Sequence, residues 1–261
     1  MNTAALPTEG GRMEQRTTRD KSAMTLNETL VVIVVLWLLA LLILTSFAKK
    51  PHQISGGSCI NNLHQIGLAY RVWEGDNRDL LPFQVPVAEG GWADSLTNAN
   101  QGAICWTNYA IMANDLGQTP KLLICPRDER RPATDFATNL NDTHLSYFVG
   151  VGANASDPRA ILGGDRNLGL GTKPDPNYGL SPISGKGLDV AIPISGPLSW
   201  SLKIHSAGNP AGLGDLLLAD GSQQKADSAG FNQTYLSNSV PTTNWPAGHA
   251  PATPSIRLIF P

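Results

Sequence analysis

The chain has 261 residues, enough for one sizeable domain and an anchor, and too few to argue for two independent cores. Charged residues make up 15% while Gly (26) and Pro (19) abound, which excludes a helical bundle and points to a loop-rich, turn-rich fold. A formal net charge of -2 with no long Lys/Arg stretch excludes direct nucleic-acid binding, which needs clustered cations to displace counterions.

Residues 1–23 are polar, carry Arg12, Arg16, Arg19 and Lys21, and hold no apolar run, so they read as a leader. From Leu30 to Ala48 the chain then runs uncharged and almost wholly apolar, and it stops at Lys49-Lys50. That length, about 19 residues, is close to the roughly 20 a helix needs to cross a bilayer. The run lacks the polar stripe of a soluble core helix. A secretory signal peptide shows the same order of charges and apolar residues, but its apolar core spans only about 7–15 residues, so a retained anchor is favoured. Basic residues before and just after the run place the N-terminus in the cytoplasm and the bulk of the chain outside.

Glu28 abuts the apolar run, where a carboxylate is costly. Its plainest reading is a charge favoured by the positive end of a helix and snorkelling to water. Ala23, Thr25, Leu26, Glu28, Leu30, Val31, Val32 and Ile33, however, together resemble the signal of type IV prepilins and type II secretion pseudopilins. The resemblance implies cleavage between Ala23 and Met24 by prepilin peptidase, N-methylation of Met24, and pairing of Glu28 with the freed amine of a neighbouring subunit during assembly. The pairing would relieve two charges in a dry interior. Ala23, Met24, Asn27 and Thr29 depart from the residues usual at those positions.

After Pro51 and Gly56-Gly57, the residues Cys59, Leu63, Ile66, Tyr70 and Trp73 recur at spacings of four and three, which predicts one helical stripe. Asn61, Asn62, His64, Gln65 and Arg71 form its wet face, and Glu74-Gly75-Asp76-Asn77 marks its end. Short antiparallel strands are predicted at Leu122-Leu-Ile, Tyr147-Phe-Val, Ile161-Leu and Leu216-Leu-Leu, each closed by Gly, Pro or Asp. Gly169 to Ser199 reads as a long surface excursion with a hairpin around Val190 to Ile194. The Pro-rich tail is irregular until a final strand at Ser255–Phe260.

The stretch Cys59 to Ala69, and the segments Pro120–Asp128, Leu145–Gly150, Ala160–Leu168 and Asp215–Ser222, are similar to recurring segments of a pseudopilin-like family abundant in Planctomycetes and Verrucomicrobia. There the helix is the exposed end of the pilin helix. Cysteine usage allows at most one bridge within the chain. Cys59 with Cys125 is the preferred pair, Cys105 with Cys125 the alternative, and free thiols a third. Asp165, Asn167, Asp215 and Asp220 are calcium candidates, because some pseudopilins hold calcium in sheet loops; no EF-hand spacing supports this, and turn-forming Asp is the simpler reading.

His205, Asp215, Asp220 and Ser222 suggest a hydrolase, but Gly-x-Ser-x-Gly is missing and the Ser follows Asp-Gly in a hairpin turn. Asp128-Glu-Arg-Arg131 mixes signs and reads as a solvated loop. The expected architecture is α+β and pilin-like, with a long N-terminal helix, transmembrane in its first half, packed on a small antiparallel sheet with long loops. Its divisions are a leader at 1–23, an assembly helix at 24–50 and a periplasmic domain at 51–261. The expected function is that of a structural subunit in the inner membrane, with prepilin peptidase, other pseudopilins and the secretion platform as partners, no enzymatic activity and no cofactor beyond candidate calcium. The competing expectation is a tethered periplasmic binding module, with Trp92, Trp106, Trp200 and Trp245 as stacking surfaces, although core packing is the simpler reading of these residues.

Overall fold

The structure is a computed structural model, and it describes residues 25–47, 57–97, 104–183, 186–206 and 209–261, with side chains of 41–47 also outside the described set. The chain divides between Gln53 and Ile54 into two units.

The first unit contains α1 (Leu26–Phe47), a helix of 22 residues. It begins where Thr25 Oγ1 accepts the amide hydrogen of Glu28 at 3.4 Å, the pairing expected of a Thr at the N-cap with a Glu three residues on. The large apolar side chains from Leu30 to Leu39 are 42–67% exposed, so this part of α1 is uncovered on every side within its unit. Among the described residues no helix is long and apolar enough to cross a membrane.

The second unit is built on α2 (Gly57–Asp76) and a six-stranded antiparallel sheet. Its strands are β1 (Tyr147–Gly150), β2 (Ile161–Asp165), β4 (Leu188–Pro193), β6 (Leu213–Leu218), β7 (Gln223–Asp227) and β8 (Ser255–Phe260). They run in the order β4-β8-β1-β2-β6-β7. A second sheet pairs β3 (Leu168–Leu170) with β5 (Leu198–Trp200). Two short helices, α3 (Ala93–Thr97) and α4 (Cys105–Ile111), lie in the segment between α2 and β1.

Alternation along the central strands explains why this sheet is covered on both faces. Tyr147, Val149, Leu217 and Ile259 point into a core shared with α2, while Phe148, Leu216, Leu258 and Phe260 point into a second core closed by Trp200 and Phe231. On the first face α2 buries Cys59, Leu63, Ile66, Ala69 and Tyr70, the expected stripe. Gly67 lets it approach, since a β-carbon there would lie 2.9 Å from Leu217 Cδ1. On the second face Trp200 lies over Gly214, where a β-carbon would come within 2.4 Å of the indole. Burying these faces, at about 25 cal/mol per Å² of apolar area, is the main force holding strands separated by long loops.

The strands at Tyr147, Ile161, Leu216 and Ser255 form as expected, and so does the turn at Asp220-Gly221, where the Leu218 amide bonds the Ser222 carbonyl at 2.9 Å. Leu122-Leu-Ile does not form a strand. Pro120 opens a 3-10 turn over Pro120–Leu123, and Leu123 is driven into the α2-side core as its anchor. The expected hairpin around Val190 to Ile194 is instead a single strand, β4, paired along its length with β8. The sheet is also larger than expected, because two polar or mixed edge strands, β4 and β7, extend it.

Candidate functional site

Glu28 sits in the first turn of α1 and is solvent-exposed, with Thr25 capping the same turn. The arrangement places an acidic group just ahead of the exposed apolar side chains from Leu30 to Leu39. Ala23 and Met24, the predicted cleavage and methylation positions, lie outside the described residues.

In the second unit the sequence-predicted residues divide. Cys59, on the buried stripe of α2, is joined by a disulfide to Cys125, which follows the 3-10 turn at Pro120–Leu123. Cys105 is a free thiol in the core, its ionisation pushed well up by burial. Beneath the disulfide, Asp165 at the end of β2 and Asp215 on β6 come together with His205, from the loop between β5 and β6. Asp165 faces this side because it stands opposite Tyr147, whose ring belongs to the α2-side core. His205 Nε2 lies 3.3 Å from Asp165 Oδ2, 3.3 Å from Asp215 Oδ2 and 3.5 Å from Cys125 Sγ. The Asp215 amide also donates to Asp165 Oδ2 at 2.7 Å.

The loop bearing His205 is held by named bonds. Asn167 Nδ2 donates to the carbonyls of Lys203 at 2.9 Å and Leu213 at 3.2 Å. Ser206 Oγ accepts the Leu213 amide at 2.8 Å. Ile204 has φ 59°, a left-handed conformation that a β-branched residue adopts only under constraint. Burial raises the affinity of Asp165 for its proton strongly, and raises the pKa of Asp215 to about 6 against the opposing pull of Lys225. Burial, helped by Lys225 and Arg127, lowers His205 to about 4. Each shift disfavours the charged form.

Asp220 does not join the cluster. It is exposed in the β6–β7 turn, where its Oδ1 accepts the Ser222 amide at 2.8 Å. The predicted calcium set therefore separates, and His205, which the sequence suggests only as a hydrolase residue, enters the cluster from the loop between β5 and β6. Ser222 stands in that same turn with Asp220, whereas His205 and Asp215 meet Asp165 in the core, so the hydrolase constellation of His205, Asp215, Asp220 and Ser222 is not assembled.

Asp128–Arg131, expected as a solvated loop, is instead half engaged with the folded core. Arg166 Nε and Nη2 donate to Asp128 Oδ2 and Oδ1 at 2.6 and 2.8 Å, with both side chains buried. The Arg166 guanidinium also lies 3.5 Å from the centre of the Tyr178 ring. Arg130 donates to the carbonyls of Asp142, Leu145, Pro182 and Pro261 at 2.8–3.2 Å. Two charges of the run thus tie loops together, while Glu129 and Arg131 remain in water. Trp92 and Trp200 are core residues rather than stacking surfaces.

The chain matches no protein-family model, no curated protein and no solved structure.

Proposed function

We propose that this chain is a pilin-like structural subunit of the type II secretion kind, stored in a membrane through α1 and assembled through the same helix. The observation that carries the reading is α1 itself: exposed apolar side chains on every side from Leu30 to Leu39, preceded by one carboxylate, Glu28, in its first turn. A helix that is apolar all round is stable in lipid or among like helices. In this reading the apolar run from Leu30 to Ala48 forms the span, with Lys49-Lys50 at its outer end. Glu28 is then too close to hydrocarbon to stay unpaired, and the freed amine of a neighbouring Met24 is the partner that both relieves the charge and sets the axial register. The disulfide of the second unit agrees with a domain that faces an oxidising compartment.

The test is Glu28→Ala in cells that carry the prepilin peptidase and the assembly platform. The variant should remain in the membrane fraction and fail to enter sheared filaments or give subunit cross-links. Incorporation at the wild-type level would overturn the reading and favour a tethered binding module, whose membrane retention does not depend on Glu28.

A further inference from the structure

Buried charges in proteins are ordinarily paired, hydrogen-bonded or coordinated to a metal. The cluster beneath α2 leaves its oxygens largely unused. Asp165 and Asp215 are fully buried, and Asp165 Oδ1 and both carboxylate oxygens of Asp215 make no hydrogen bond among the described residues. Lys225 Nζ stands 3.7 Å from Asp215 Oδ1, at the water-facing edge, with its side chain 42% exposed. His205 turns one ring nitrogen toward both carboxylates at the same distance.

We infer that Asp165, His205 Nε2 and Asp215 are the protein ligands of a buried divalent transition-metal ion, best fitted by zinc, which ties β2 and β6 to the loop between β5 and β6. The spacing supports it. Around a tetrahedral centre with metal–ligand bonds of about 2.0–2.1 Å, neighbouring ligand atoms stand about 3.3–3.4 Å apart. Both distances from His205 Nε2, 3.3 Å, fit that edge. The donor set also chooses the ion: calcium takes about 6–8 oxygens, whereas an imidazole with two carboxylates suits zinc and its neighbours.

The supporting contacts do what outer partners of a metal site do. Asn167 and Ser206 fix the loop, the Asp215 amide orients Asp165, and Ile204 holds its strained φ beside the ligand it positions. The three protein ligands are exposed by 5% or less, and the fourth tetrahedral position falls to a water molecule. Cys125 Sγ, 3.5 Å from the same nitrogen, is committed to the disulfide and walls the site rather than ligating. This inference stands independently of the pilin-like reading.

The test uses the full chain in detergent with its disulfide intact, stripped by a chelator and titrated with Zn²⁺ alone and with Co²⁺ alone. Wild type should take up about one equivalent, with tetrahedral Co²⁺ absorption. Its Tm should rise by about 5–10 °C at a hundredfold excess over Kd. Asp165→Asn and Asp215→Asn should lose more than about 100-fold in affinity, a larger loss than removing an outer partner gives. Asp220→Asn should bind as wild type. X-ray absorption of the wild-type complex should show nitrogen and oxygen neighbours without sulfur, which keeps the test valid if the Asn variants do not fold. Uptake below about a tenth of an equivalent, binding that survives both Asn substitutions, binding seen only after the disulfide is reduced, or a preference for Ca²⁺ over Zn²⁺ would each overturn it.

Discussion

The Arg166–Asp128 and Lys203–Glu129 pairs have similar nitrogen–oxygen distances, 2.6 and 2.9 Å, and opposite surroundings. Removing one partner of a buried pair strands the other in low dielectric, so Arg166→Ala should cost about 3–5 kcal/mol in urea denaturation. Lys203→Ala, at an exposed pair, should be near neutral. Burial lifts the pKa of Asp142 to about 6 even though the Trp106 amide donates to it at 2.8 Å. A carboxyl whose folded pKa is raised binds more protons folded than unfolded, so its stabilisation is complete below about pH 4 and is lost as pH rises through about 6. Relative to Asp142→Asn, wild type should therefore lose up to about 3 kcal/mol across that window, read from unfolding curves at several pH values. A constant difference between the two proteins would show that Asp142 does not titrate there.

Among the elements, α2 and β6 make the tightest predictions. Gly214→Ala would push a methyl into the Trp200 ring and should destabilise by about 1–3 kcal/mol or more. Gly75→Ala, in α2 with nothing within 4 Å, should stabilise by about 0.5–1 kcal/mol. Thermal unfolding of the two variants side by side gives the comparison. These elements differ in how readily the sequence discloses them. The α2 stripe and strands β1, β2, β6 and β8 are legible because their apolar residues follow the periods of helix and strand. β7 is not: Gln223-Gln-Lys-Ala-Asp227 is a polar edge strand whose identity comes from pairing with β6, not from its own pattern. Leu122-Leu-Ile has the composition of a strand, and Pro120 together with the demand for Leu123 in the core makes it a 3-10 turn.

For the whole molecule, the site divides along the same line. Glu28 is legible because one carboxylate before an apolar run stands out locally. The joining of Asp165, His205 and Asp215 is not, because 40 and 10 residues separate them in the chain and only the β2–β6 pairing and the loop held by Asn167 bring them together. Similarly, Asp128 and Arg130 look solvated in a mixed-charge run, since their partners are remote in sequence. The disulfide closes a sequence separation of 66 residues between α2 and the segment before β1. Loop-closure entropy for that length corresponds to about 4 kcal/mol, so Cys59→Ser with Cys125→Ser should lower stability by roughly that amount. Under the proposed pilin-like function, α1 belongs to a processed, assembling subunit. N-terminal mass spectrometry of protein extracted from membranes of cells carrying prepilin peptidase tests it most directly. A mature chain that begins at N-methylated Met24 is the predicted result; a chain that keeps its leader or begins at any other residue would contradict it.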